Sequence, residues 1–167
     1  MRRRSLGVLG ALLLPAAAGL ALSGCGFQRR AAPTVAFRRI ALTGFAPRSS
    51  MAEAIRRALG PGVEVVDTPA RAEVVLAATA DVREKNATVS TVAGQVREFQ
   101  LRVRLAFRVL GADGRERLGL AELVLVRDLS YSETLALAKA QEEAQMFREM
   151  EADIAQQVLR RLAAVQP

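Results

Sequence analysis

The sequence predicts an α+β two-layer sandwich, with two helices packed on one face of a mixed, mostly antiparallel sheet of four to five strands. Three observations predict it. The mature segment orders its elements as strand, helix, short strand, three long strands, helix, so most strands are segregated from the helices. Phe99, Leu101, Val103, Leu105, Phe107 and Val109 alternate with Gln100, Arg102, Arg104 and Arg108, the period of a half-buried strand. Phe147, Met150, Ile154, Val158, Leu162 and Val165 recur at steps of three and four, the stripe of an amphipathic helix.

The amino-terminal residues 1–24 have the three parts of a secretory signal. Arg2, Arg3 and Arg4 form a basic start, and Leu6 to Leu22 is an apolar run interrupted by Pro15. The run ends in Leu22-Ser23-Gly24-Cys25, which is similar to the lipobox of bacterial lipoproteins. Two small residues let a peptidase reach the backbone, and the Cys25 thiol is the nucleophile that accepts a diacylglycerol group. The competing reading is an uncleaved membrane helix, but the run is at the short edge of a span and Pro15 weakens it. Gly26 stands where an Asp would favour inner-membrane retention, which suggests an outer-membrane, periplasm-facing, lipid-anchored location. Residues 25–33, with Arg29 and Arg30, are expected to be a basic linker, and 34–167 a single domain.

Removing the signal changes the charge. The chain from Cys25 onward has 143 residues, and without Arg2–Arg4 it holds 21 basic against 17 acidic residues, so +7 becomes +4. A nucleic-acid partner loses its main support, while an anionic lipid head group remains a candidate. Cys25 is the sole cysteine, so no internal disulfide can form. The sequence has no histidine, which removes imidazole bases, Ser-His and Cys-His nucleophiles and most zinc sites. No phosphate loop or calcium loop is present, so no catalytic residue, metal or cofactor is expected and the reading is of a non-enzyme.

The remaining elements follow in order. Val35 to Thr43 reads as a first strand, with a bulge or slip where Arg38-Arg39 break the alternation. Ser50-Met51-Ala52-Glu53 reads as a capping box opening a helix with Met51, Ile55, Ala58 and Leu59 on its apolar face. Gly60-Pro61-Gly62 stops that helix, and Val63 to Val66 is a short strand before a turn at Pro69. In the third strand, Val74, Leu76, Ala78, Ala80 and Val82 are expected on one face, and Glu84 to Gly94 reads as a polar hairpin end. After the alternating fourth strand, Gly111-Ala112-Asp113-Gly114 turns the chain. The fifth strand, Arg117 to Leu129, is apolar on both alternating sets, which predicts cover on both faces for part of its length. Ser130-Tyr131-Ser132-Glu133 offers a cap to the long helix from about Ser132 to Val165. The arginines of strand four are expected on the face away from the helices.

The carboxy-terminal half resembles the LptE family of lipopolysaccharide-assembly lipoproteins. The elements that carry the resemblance are Glu98-Phe99-Gln100, Arg127, Leu137-Ala138-Lys139, Glu142-Glu143, Arg148-Glu149-Met150 and Arg160-Arg161-Leu162, together with Gly26-Phe27 after the lipobox. It covers residues 95–163 well, and 25–94 mainly by order of elements. The resemblance implies an outer-membrane lipoprotein that plugs the LptD β-barrel and assists insertion of lipopolysaccharide, by binding and without bond chemistry. Lys139 is then the candidate for lipopolysaccharide contact, since a cation pairs with phosphate; the bland alternative is a solvated lysine paired with Glu143. Arg102 and Arg104, with Arg108, form a basic stripe read either as a lipid contact or as a solvated or partner-facing surface. The hairpin tip Thr91-Val92-Ala93 carries no cation, which weakens a site spanning loop and helix. A second reading of the whole chain is a lipoprotein that activates a peptidoglycan synthase.

Overall fold

The computed structural model describes residues 34–90 and 96–166. Within them the chain forms β1 (Arg39–Thr43), α1 (Ser50–Leu59), β2 (Glu64–Val66), a 3₁₀ turn (Pro69–Arg71), β3 (Val74–Ser90), β4 (Val96–Gly111), β5 (Glu116–Ser130), a second 3₁₀ turn (Glu133–Leu135) and α2 (Ala136–Leu162). The sheet order is β2-β1-β3-β4-β5. β1 runs parallel to β2 and β3, whereas β3–β4 and β4–β5 are antiparallel. This is the α+β sandwich that the segregation of strands and helices implies.

The core lies between the sheet and the two helices. Leu101, Val103, Leu105, Phe107 and Val109 of β4 are fully buried against Met51 and Ile55 of α1 and Met150, Ile154, Val158 and Leu162 of α2. Each large apolar side chain buried there contributes roughly 1.5–3 kcal/mol. The first strand begins at Arg39, later than its apolar pattern suggests. Val35 and Phe37 instead lead the chain in against the helix-side core.

The cap of α1 is Ser49, one residue before the capping box. Its hydroxyl accepts from the Ala52 amide at 3.0 Å and donates to Asp81 at 2.6 Å. Ser50 is therefore freed, and its hydroxyl donates to Glu151 of α2 at 2.6 Å. Glu53 does not reciprocate the cap and pairs with Arg56. Gly60, at φ 69°, ends the helix in the left-handed region that glycine tolerates. At the other end of the sequence, no side chain caps α2, because the 3₁₀ turn at Glu133–Leu135 intervenes between Ser132 and its first residue.

β3 departs most from its apolar pattern. The ladder to β4 shifts between Ala78 and Ala80, so that one residue is extra. A slip of one residue exchanges the two faces of a strand. Val74, Leu76 and Ala78 pair with the inward Gly111, Val109 and Phe107 positions, but beyond the bulge Asp81, Arg83 and Lys85 pair with Leu105, Val103 and Leu101. Ala80 and Val82 are thereby turned to the open face, and three charged side chains to the helix face. The stretch from Glu84 to Ser90 is strand, paired with β4 to Val96, and the hairpin tip at 91–95 lies outside the described residues. Gly44, at φ 80°, backs onto this kink: a Cβ there would sit 2.0 Å from the Ala78 carbonyl oxygen.

The inward charges form a polar seam under α2. Arg83 lies 4.0 Å over the Phe147 ring and 3.5 Å from Glu151, which is 2% exposed. Lys85 lies 4.1 Å over Phe99 and donates to Glu143 at 2.6 Å. Arg127 of β5 reaches Glu149 at 2.9 Å and Asp153 at 3.1 Å. Phe99 meets Tyr131 edge-on, with ring centres 5.3 Å apart, at the corner where the chain leaves the sheet for α2.

Candidate functional site

The sheet face opposite the helices carries Arg102, Arg104 and Arg108, as their alternation with the buried β4 residues requires. The stripe is not purely basic. Arg104 Nε is 2.5 Å from Glu122, Glu84 stands beside Arg102 in register, and exposed Asp128 faces Gln100. No ion pair of Arg102 or Arg108 forms among the described residues.

Beside these charges β5 presents bare apolar side chains: Leu120 is 72% exposed, Val126 47% and Val124 39%. Among the described residues, therefore, its two apolar sets do not mean cover on both faces. The second set is left uncovered, on a strand that is also the free edge of the sheet. Toward the other end of the face, the first 3₁₀ turn arches over Val75 and Leu110 and leaves an open depression of about 410 Å³ with Thr43, Pro69 and Ala77 in its lining. The sequence pattern gave no sign of the depression, which depends on how the β2–β3 connection crosses the sheet.

Lys139 lies elsewhere. It is in the first turn of α2, its side chain 17% exposed, with its ammonium 2.8 Å from Glu142 and 3.1 Å from the Ser130 hydroxyl. Its ion partner is Glu142, since Glu143 is engaged by Lys85. The structure does not gather Lys139 with Arg102 and Arg104: α2 packs on the face that holds Leu101 and Val103, and the two arginines point from the opposite face. Cys25 and the Thr91-Val92-Ala93 tip lie outside the described residues.

Two carboxyls are held below their ordinary range. Glu149 is lowered by a hydrogen bond from Gln145 and then by Arg127, and Asp113, in the β4–β5 turn, by the Arg115 backbone amide and then by Arg117 and Arg115. Neither sits in a cleft. Among the described residues no three His, Cys, Asp or Glu side chains are grouped to hold a metal ion, and no buried side-chain nitrogen or oxygen lacks a partner. No helix among them is long and apolar enough to cross a membrane.

Fold and surface together define a small two-layer α+β domain with one amphiphilic sheet face left bare. The chain belongs to the LptE family, described as lipopolysaccharide-assembly, whose model matches residues 37–162. Solved structures agree. The chain is similar to an uncharacterized lipoprotein B from Nitrosomonas europaea at 29% identity and a TM-score of 0.68, covering 84% of this chain and 92% of that one. It shares its fold with the rare lipoprotein B from Shewanella oneidensis (23% identity, TM-score 0.61, 76% and 95% covered). The same holds for a minor lipoprotein from Acinetobacter baumannii (19% identity, TM-score 0.62, 80% and 100% covered). No curated protein matches the sequence.

Proposed function

We propose that this chain is exported by residues 1–24, lipidated at Cys25 and tethered through residues 25–33 to the periplasmic side of the outer membrane. There it docks in the LptD β-barrel and assists insertion of lipopolysaccharide into the outer leaflet, acting by binding alone. Family membership over residues 37–162 supports the general role. The observation that carries the docking is the bare face of β4 and β5, where Leu120, Val124 and Val126 stand exposed beside alternating arginines and carboxylates. Scattered exposed apolar residues are ordinary, but a contiguous apolar and charged strip along a free edge suits a protein partner.

Affinity purification of the tagged chain from outer membranes tests this, and a large β-barrel protein is the expected companion. Recovery of a peptidoglycan synthase with no barrel would favour the cell-wall reading and remove this one. For lipopolysaccharide itself, Lys139, Arg102 and Arg104 remain the proposed contacts. A phosphate that reaches Lys139 has to displace Glu142. Lys139→Glu is therefore expected to lower lipopolysaccharide retention and Glu142→Gln to raise it, each with barrel recovery unchanged. Equal retention by both variants would make Lys139 a structural tie between α2 and Ser130.

A further inference from the structure

The two edges of the sheet are built differently. β2 forms one edge with three residues, and Pro69 follows it closely. β5 forms the other with 15 residues, among them no proline and no lysine. Its register with β4 runs unbroken from Ala121 to Ser130, and the irregularities lie nearer the turn. A long, regular edge strand offers its main chain to another strand, and folded proteins usually blunt such edges by shortening, proline, lysine or bulges. From Ala121 onward β5 has none of these. Its helix-side charge, Arg127, is drawn to Glu149 and Asp153 of α2 instead of standing across the edge.

The pairing fixes which main-chain groups face outward. The Tyr131 amide donates to the Arg97 carbonyl at 2.8 Å, and the ladder continues from Leu129 opposite Phe99 to Ala121 opposite Phe107. Alternate residues of an antiparallel strand turn both N–H and C=O to the same neighbour. Odd-numbered residues from 121 to 131 therefore bond to β4, and Glu122, Val124, Val126 and Asp128 turn theirs to the free edge. No strand of the described residues lies beyond them. The side chains of these four stand on the bare face as a row: carboxylate, two valines, carboxylate. A second copy of β5 brings carboxylates and no cation to that row, so the complement is a different chain. We infer that the free edge of β5 accepts an extended segment of its protein partner as a sixth strand. That segment carries apolar side chains opposite Val124 and Val126 and basic ones opposite Glu122 and Asp128. Cross-strand neighbours of opposite charge are favourable and like charges are not. Main-chain bonds supply the attachment, and the side-chain row supplies the selectivity. A closed barrel wall has every strand paired on both sides, so the segment belongs to a loop or terminal arm of the partner. This inference rests on the barrel docking proposed above and specifies how the partner is held.

The test uses the full chain, alone and in the complex purified from outer membranes. Hydrogen exchange is measured by mass spectrometry on peptides spanning residues 120–130. In the chain alone the amides of Glu122, Val124, Val126 and Asp128 should exchange fast, while their odd-numbered neighbours, bonded to β4, stay protected. In the complex the early uptake should fall by one deuteron for each of those four outward amides. A double variant, Val124→Pro with Val126→Pro, removes two outward donors and leaves the ladder to β4 in place. Two lost hydrogen bonds should lower barrel recovery at least about tenfold. Val124→Thr with Val126→Thr keeps the amides and should recover barrel within roughly threefold of the parent. Urea unfolding establishes that each variant is folded; if the proline pair is not, the exchange result decides alone. Unchanged early uptake over 120–130 in a complex that contains the barrel would overturn the inference and leave the docking standing. Full recovery by the folded proline pair would do the same. Absence of any barrel from the purification would remove the docking and this inference together.

Discussion

Single side chains decide how the helical layer is held. Glu151 is nearly fully buried, satisfied by the Ser50 hydroxyl and by Arg83. Ser50→Ala removes one charge-assisted hydrogen bond and is expected to cost about 1–2 kcal/mol in urea unfolding. Glu151→Ala also strips Arg83 of its partner, and about 2–3 kcal/mol is expected. Ser49→Ala loses both the cap and the bond to Asp81, at about 1–2 kcal/mol. Glu149 gives a pH signature. Its carboxyl lies below the ordinary 4.5, chiefly through Gln145 and then Arg127. A depressed carboxyl contributes stability above the unfolded-state value, and that contribution is lost as pH falls through the folded one. A carbon-detected titration should therefore place Glu149 low, with its midpoint rising in Gln145→Ala. An unmoved midpoint would assign the effect to Arg127.

The elements show which sequence signals suffice and which do not. The α2 stripe and the β4 alternation were legible because each depends on one periodicity and one burying surface. All six residues of the stripe are buried, five of them in α2 and Val165 three residues past its end. The first cap falls one residue before the capping-box serine, since Ser49 and Ser50 are adjacent and their partners, Asp81 and Glu151, lie far along the chain. β3 defeated its own pattern. Ala78, Thr79 and Ala80 are small and carry no periodic mark of an inserted residue, so the exchange of faces appears only in the pairing with β4. The bulge requires the close approach of Gly44. Gly44→Ala combines a 2.0 Å contact with a left-handed φ, and destabilisation on the order of 1–3 kcal/mol is expected by thermal unfolding. The site was less legible than the fold: the residue types on the open face followed from alternation, but whether β5 was covered could not be read from two apolar sets alone.

For the whole molecule, the two broad faces offer different chemistry to different surroundings. The open sheet face combines exposed apolar with charged side chains, whereas the helix-side face closes on the core and on ion pairs to α2. Replacing Val124 and Val126 together by Glu should reduce recovery of the barrel at least about tenfold. Stability should stay within about 0.5 kcal/mol, because both side chains are already exposed. A matched loss of stability and recovery would instead place the effect in the sheet itself.

The bulge in β3 also divides the molecule along its length. On one side α2 is held by Ile154, Val158 and Leu162, an apolar contact that salt does not screen. On the other it is held by Lys85–Glu143, Arg83–Glu151 and Arg127 with its two carboxylates, most of them within reach of solvent ions. The helix therefore has a salt-soluble end and an oily end. As ionic strength rises, amide exchange should quicken from residue 136 inward and stop near Ile154, just past the last ion-paired carboxylate, so that the protein frays from one end while its centre remains closed.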